Sequence, residues 1–165
     1  MKFTKEEVIG VAFSKLRPKR GDVFADVGCG SGAVAEFFSP YVKKVYAVDV
    51  DEEAFKSSKE RLANFDNVEV LKMHGKDFLE SFEYDIAFIG GTKDLEDMLK
   101  VCSARRFVIS AARMEVVLLA KKVLEELGKF EEVVIVNVSR SYDLAGGTAF
   151  RNINPVFLVV GCSTE

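Results

Sequence analysis

From Phe24 to Phe38 the chain reads FADVGCGSGAVAEFF: an apolar run closes on Asp26, and glycine then takes every second position at Gly28, Gly30 and Gly32. Residues without a Cβ at that spacing permit a sharp strand-to-helix bend and let a ligand lie against bare backbone. The dinucleotide fingerprint G-x-G-x-x-G would place its third glycine one residue later, at Ala33, where that pattern also tolerates alanine. Roughly 20 residues further on, at the end of the apolar run in VYAVDVDEEA, stands Asp49, where a carboxylate can accept hydrogen bonds from both hydroxyls of a ribose. Asp51, followed by Glu52 and Glu53, suits the cap of the next helix and leaves Asp49 available for a ligand. The chemistry suggested is the binding of a nucleoside-type cofactor.

These residues need a scaffold, and the hydrophobic periodicity supplies one. TKEEVIGVAFSKL opens with Thr4 and Glu7 at capping-box spacing and places Val8, Ile9, Ala12, Phe13 and Leu16 on one helical face. DVFADV reads as a buried strand and GAVAEFF as a helix that stops before Pro40. KKVYAVDV, NVEVLKM, YDIAFIG and RRFVIS read as further strands, with the amphipathic helices DEEAFKSSKERLANF and KDLEDMLKVC among them. MEVVLLAKKVLEELG is a long helix with Gly128 placed as its C-terminal cap. EEVVIVNV and PVFLVV are late strands separated by a polar, glycine-containing stretch, and with no helix between them they should pair antiparallel. Alternating strands and helices predict an α/β fold, a mostly parallel sheet with helices on both faces and an antiparallel last strand. Ligands on such sheets gather beyond the carboxyl ends of the strands, where strand order reverses.

Composition narrows the function classes. At 165 residues the chain suits one domain, 1–165, and 48% hydrophobic residues make it globular. The balance of 23 Lys and Arg against 26 Asp and Glu argues against a nucleic-acid coat or a polybasic membrane binder. No apolar stretch approaches the ~20 residues of a membrane span, and MKFTKEEVIG has acids where a signal peptide would have its apolar core, so a cytoplasmic protein is expected. Cys29, Cys102 and Cys162 are odd in number and far apart, and with the single His74 they form no metal-ligand pattern.

The glycine loop, the ribose acid and seven inferred strands together resemble the Rossmann-like class I S-adenosyl-L-methionine-dependent methyltransferases. In that family DVGCGSG is the first signature motif, which implies cofactor contacts from Asp26, Gly28, Cys29, Gly30, Ser31, Gly32 and Asp49. The family's adenine pocket follows the third strand, here MHGKDF; a gapless reading places His74 and Gly75 there and a shifted one Lys76 and Asp77, with Gly75 favoured as a backbone contact. After the fourth strand, IGGTKD has neither the proline pair nor the aromatic of enzymes that methylate bases of nucleic acids.

Several stretches resemble a narrower family, the cobalt-precorrin methyltransferases of cobalamin synthesis that methylate carbon 15 and decarboxylate. They are TKEEVIGVAFSKL, with Thr4 at a cofactor-contacting threonine; VGCGSGAV; DIAFIGGTKDLEDML, with Gly90 and Gly91; ISAARMEVV, with Glu115; and NVSRSYDLAGGTAFRNINPV, with Asn137, Arg140, Gly147, Thr148, Asn154 and Pro155. The resemblance implies a tetrapyrrole substrate, substrate-side roles for Gly90, Gly91, Thr92, Glu115 and Arg140, no metal ligands, a hairpin over residues 139–154, and a homotetramer with that hairpin at its interface. Arg113 and Arg151 are further candidates for holding substrate carboxylates. Competing expectations are an RNA or protein methyltransferase, a non-catalytic nucleoside-binding domain, and a nicotinamide dehydrogenase.

Overall fold

The computed structural model describes residues 4–163. Its seven strands are β1 (Val23–Val27), β2 (Lys44–Asp49), β3 (Val68–Lys72), β4 (Ile86–Ile89), β5 (Arg106–Ala111), β6 (Phe130–Leu144) and β7 (Gly147–Cys162). They form one sheet in the order β3-β2-β1-β4-β5-β7-β6. β1 to β5 are mutually parallel; β7 is inserted antiparallel between β5 and β6. Strand order reverses between β1 and β4, so the crevice opens beyond their carboxyl ends.

Helices α1 (Glu6–Leu16), α2 (Ala33–Phe38) and α3 (Glu52–Arg61) connect or flank the first strands, and α4 (Gly75–Ser81), α5 (Leu95–Val101) and α6 (Met114–Glu126) the later ones. Strands buried on both faces need near-continuous apolar sequence, which IAFI in β4 and RFVISA in β5 provide. Two hydrophobic layers result. One joins α1 and α2 to the sheet through Val8, Ile9, Leu16, Phe24 and Phe38; the other joins α4, α5 and α6 through Phe78, Leu99, Phe107 and Leu124. Phe24 and Phe38 stack with ring centroids 4.1 Å apart, fixing α2 to β1 directly behind the glycine bend.

Local structure departs from the sequence pattern in places and follows it in others. The capping box at Thr4 and Glu7 is not made: Lys5 is the N-cap of α1 and gives no side-chain hydrogen bond, while the Glu7 carboxylate accepts from Arg140. α2 ends at Phe38, before Pro40 as expected, and the chain continues into a 3-10 turn over Ser39–Tyr41, where a proline in the first turn lacks only an N–H that had no partner to lose. MHGKDF is not just a turn; it leads into α4, whose inward face is Phe78 and Leu79. The polar stretch before PVFLVV is paired strand: β6 and β7 pair on through Arg140–Arg151 to Leu144–Gly147, closing on Ala145 and Gly146 at φ +51 and +82. Positive φ at both central residues matches the right-handed twist of the strands they join.

β5 ends with Ala111 opposite Phe157, which in turn pairs with Ile135. Everything after those rungs overhangs the ligand edge of the sheet. A register irregularity between Val136 and Val138 marks where the overhang begins.

The Phe24–Phe38 stack predicts a stability test. Phe38→Ala should lower the unfolding free energy by about 3–5 kcal/mol, the usual cost of a buried phenylalanine, measured by urea denaturation; a loss under 1 kcal/mol would show that α2 does not depend on this contact.

Candidate active site

At the switch point four strand tips surround a cavity of about 720 Å³. Val27, Gly28 and Gly30 come from the end of β1, and Asp49, Asp51 and Glu53 from the end of β2. Met73 to Asp77 follow β3, and Gly90 to Asp94 follow β4. The size suits a nucleoside-sized ligand rather than a whole macrocycle.

Four N–H groups of the glycine bend are hydrogen-bonded within the protein itself. The N–H groups of Gly28 and Cys29 both donate to the carbonyl of Val48, at 2.8 and 3.0 Å. Gly30 N–H donates to Asp49 Oδ2 at 2.9 Å, and Gly32 N–H to the carbonyl of Cys29 at 2.9 Å. Asp49 Oδ1 accepts from Asp51 N–H at 3.0 Å, so one carboxylate ties the first loop to the second. A phosphate cradle needs convergent N–H groups free to point at the ligand. Here those of Gly28, Cys29, Gly30 and Gly32 are already engaged.

The absent Cβ atoms serve packing as much as ligand access. Gly28 sits at φ +75, and a Cβ there would lie 2.4 Å from the backbone nitrogen of Gly91. The β4–α5 loop therefore rests directly on the bend. At Gly32 a Cβ would meet Leu62 and Ser58 at 3.0 and 3.3 Å, and at Gly75 it would meet Val27 and Met98 at 2.6 and 2.8 Å. The expectation that bare backbone faces the ligand at Gly28 and Gly32 is thus corrected: their Cβ positions are filled by Gly91 backbone and by α3.

Asp26 lies beneath the bend at 1% exposure. Its Oδ2 accepts from Ala35 N–H at 3.1 Å, while Oδ1 is buried with no partner. Burial raises its pKa from the ordinary carboxyl range to about 7, partly opposed by the Ala35 hydrogen bond and reinforced by the charge of Asp49. Cys29 is buried beside it, and burial pushes its thiol well up, leaving an inert side chain.

Of the residues singled out from sequence, Gly28, Gly30, Asp49, Gly75, Gly90, Gly91 and Thr92 line the cavity, and so do both alternatives for the turn after β3, His74 with Gly75 and Lys76 with Asp77. Asp26, Cys29 and Ser31 are buried behind that lining, and Gly32 caps α2. Thr4, half-buried, precedes α1 and is not in the lining. Glu115 is exposed in the first turn of α6, and Arg113 is exposed at its N-cap. Arg151 lies over the Tyr142 ring at 4.7 Å. Arg140 makes a two-nitrogen clamp on Glu7, with contacts of 3.1, 2.5 and 2.6 Å. That pair lowers the Glu7 pKa. Among the described residues no group of three or more His, Cys, Asp or Glu could hold a metal ion.

Sequence reasoning missed Glu53, Lys93 and Asp94 in the lining. Glu53 read only as a first-turn acid of its helix. Asp94 had one usable signal, its place directly after GGTK at a strand tip.

The sheet order, the bend at the tip of β1 and the acid at the tip of β2 define a class I methyltransferase fold. A solved S-adenosylmethionine-dependent O-methyltransferase from Thermotoga maritima shares that fold, at TM-score 0.78 and 18% identity, covering 100% of this chain and 69% of the other. The family model described as "Precorrin methyltransferase domain" matches residues 1–161, and the chain belongs to that family. A relative from Archaeoglobus fulgidus, named "Probable cobalt-precorrin-6B C(15)-methyltransferase (decarboxylating)", is 60% identical over 160 residues, 97% of each chain. The crystal structure of a precorrin 8w decarboxylase from Methanobacterium thermoautotrophicum superposes at TM-score 0.91 with 28% identity, covering 99% of this chain and 93% of that one.

Asp26 yields a pH prediction. A carboxyl whose folded pKa stands above its unfolded value binds more protons when folded, so its contribution to stability is full below the unfolded value of about 4 and is lost as pH rises through the folded value of about 7. Asp26→Asn should therefore flatten the pH dependence of urea unfolding between pH 4 and 7, by on the order of 4 kcal/mol or less. An unchanged profile would show that Asp26 titrates normally.

Proposed function

We propose that the chain is an S-adenosylmethionine-dependent enzyme that methylates carbon 15 of a cobalt-precorrin and removes the ring-C acetate as carbon dioxide, in cobalamin biosynthesis. The observation that carries this reading is the glycine bend itself. The N–H groups of Gly28, Cys29, Gly30 and Gly32 are engaged within the protein, which disfavours a pyrophosphate, yet the bend borders a nucleoside-sized cavity in a chain 60% identical to a relative bearing that name.

The residues present fit the cofactor. The cavity lining carries Asp49, Asp51, Glu53, Asp77 and Asp94 against Lys76 and Lys93, and Lys76 is itself paired with Glu80. A negative lining suits a ligand bearing a sulfonium and an ammonium group and opposes one bearing phosphates. Asp49 is the candidate for the ribose hydroxyls: each of its oxygens accepts one backbone N–H and keeps a further lone pair. His74, Gly75 and Asp77 are candidates for the adenine, Gly28 and Gly30 for the methionine part, and Gly90, Gly91 and Thr92 for the substrate side of the same cavity. Asp26, Cys29, Ser31 and Gly32 hold the bend from behind, and Thr4 is assigned a cofactor contact from the family resemblance.

When bound, the cofactor supplies a methyl group already activated by positively charged sulfur, so the chain need furnish neither a metal nor a strong base. What the chain does is position. Holding a ring carbon in line with the methyl group at near-attack distance contributes roughly 7–11 kcal/mol to lowering the barrier. The β4–α5 loop, pressed on the bend through Gly28 and Gly91, forms one wall of the cavity. The overhanging β6–β7 hairpin and the N-terminus of α1 stand beyond the same edge and are where a large, carboxylate-rimmed substrate would rest. Arg140 and Glu115 are its proposed contacts, with Glu7 presenting the Arg140 fork. We further propose a homo-oligomer, with Leu144 and Phe150 exposed on the hairpin at 57% and 67%, and a cytoplasmic location; no helix among the described residues is long and apolar enough to cross a membrane.

Incubation with cofactor labelled at the methyl group and a cobalt-precorrin, followed by mass analysis, should show gain of one methyl and loss of one carbon dioxide; gain without loss would separate the two halves of the assignment. Asp49→Ala should weaken S-adenosylhomocysteine binding by about 2–3 kcal/mol, the value of a hydrogen bond to a charged group, and calorimetric heat for NAD alone would end the reading. Arg140→Ala should leave cofactor affinity unchanged and reduce precorrin turnover at least tenfold; normal turnover removes Arg140 from the site.

A further inference from the structure

Strand pairing alone does not favour the charge carried by the overhanging hairpin. Arg140 of β6 and Arg151 of β7, both exposed, stand directly opposite each other. Like charges on one rung of an antiparallel ladder repel. Side chains alternate between the faces of a strand, so both arginines share the face of Val138, which packs on the core layer that α1 helps to form. Asp143, the one acid between Asn137 and Pro155, falls on the other face.

The two guanidinium groups are held in different ways. Glu7 closes one edge of Arg140, accepting from Nε at 3.1 Å and from Nη2 at 2.5 and 2.6 Å. The charge of Glu6 acts on Arg140 as well. The guanidinium of Arg151 lies instead over the half-buried Tyr142 ring, 4.7 Å from its centroid. An arginine held over an aromatic face has lost rotamer freedom while its N–H fork stays unspent. Exposure accounts for the lack of a carboxylate on Arg151. It does not account for placing that arginine on the rung of Arg140, nor for the ring that holds it. Glu7 shows what the rung accepts: a carboxylate, taken by two nitrogens of one guanidinium.

We propose that Arg151 is a specificity-determining residue that takes one rim carboxylate of the tetrapyrrole in its fork, with Tyr142 as the residue that positions it and Arg140 adding only the Nη1 side that Glu7 leaves open. This rests on the substrate reading above. The carboxylate it holds is not the one that is lost. In decarboxylation the carbon–carbon bonding pair passes to the macrocycle and carbon dioxide leaves neutral, so a fork that stabilises the charged carboxylate would oppose the step. An arm anchored at Arg151 fixes one edge of the macrocycle and leaves the ring-C acetate free of a cation.

The test pairs turnover of a cobalt-precorrin with a probe that needs no turnover, uroporphyrin I, a tetrapyrrole with eight carboxylates whose binding is read from its fluorescence. Arg151→Gln should raise the precorrin KM at least tenfold while leaving kcat within threefold and S-adenosylhomocysteine affinity within twofold. Arg151→Lys keeps the charge and loses the fork, so its KM should fall between; Tyr142→Leu should raise KM as well. At low salt the Arg151→Gln protein should bind uroporphyrin at least tenfold more weakly than wild type, and high salt should narrow the difference. A precorrin KM or uroporphyrin affinity within twofold of wild type in Arg151→Gln would overturn the proposal and leave the methyltransferase reading intact. So would a parallel loss of S-adenosylhomocysteine affinity, the mark of a structural role. A wild-type protein that binds uroporphyrin through Arg151 yet turns over no cobalt-precorrin would overturn the function proposed above and support the carboxylate fork. Absence of both binding and turnover in the wild type would overturn both.

Discussion

The bridge made by the Asp49 carboxylate, from Gly30 N–H to Asp51 N–H, is the contact on which the rest of the site depends. It joins the bend after β1 to the turn before α3, two loops that arrive from neighbouring parallel strands. A parallel sheet aligns its strand tips but leaves the loops beyond them without ladder partners. Some other acceptor must fix them, and a carboxylate can serve two donors at once and still offer lone pairs outward. The carbonyl of Val48, one residue earlier, takes the Gly28 and Cys29 N–H groups and completes the tie. Asp49 therefore has a structural role in addition to its assigned one, and the two are compatible in the same rotamer.

That tie has a chemical consequence. A glycine loop in which the Gly28, Cys29, Gly30 and Gly32 donors are committed to its own protein is a poor anion cradle, whatever its sequence spacing suggests. The acidic lining points the same way, since phosphates would meet a surplus of carboxylates. Two independent features, one of hydrogen bonding and one of charge, thus separate this bend from the dinucleotide loops that its sequence partly matches. The difference of one residue in glycine spacing is the trace that this distinction leaves in the sequence.

Much of the architecture was legible because it follows from local pattern. Apolar runs ending in acids or glycines fall on the strands, and helical periodicity locates α1, α3, α5 and α6, because burial on two faces and on one face demand different repeats. What was not legible depended on neighbours distant in sequence. Gly28 looks like a ligand glycine until Gly91, 63 residues away, is seen against it. Thr4 and Glu7 have capping-box spacing, but Glu7 is within reach of Arg140, and a charged fork is a better partner for a carboxylate than a single N–H. MHGKDF passed for a turn because α4 is only seven residues long, too short to show a period.

The same long-range pairing explains how an overhanging ribbon can be built on an edge strand. β6 is the last strand of the sheet and its continuation overhangs any further support from β5. A free two-stranded ribbon is marginally stable and open to unwanted pairing. Here α1 runs alongside it: Lys15 pairs with Glu132 near the start of β6, the carbonyl of Lys15 accepts from Arg106, and Glu7 holds Arg140 out on the overhang. Val134, Val136 and Val138 pack beneath that frame against the same core layer as Val8 and Ile9. A helix held to the ribbon at both its ends makes the overhang an extension of the core rather than a loop. The N-terminus of α1 and the hairpin are then set together beyond the sheet edge, and any ligand that contacts one is positioned with respect to the other. A site whose catalysis is positioning needs that rigidity more than it needs a reactive side chain.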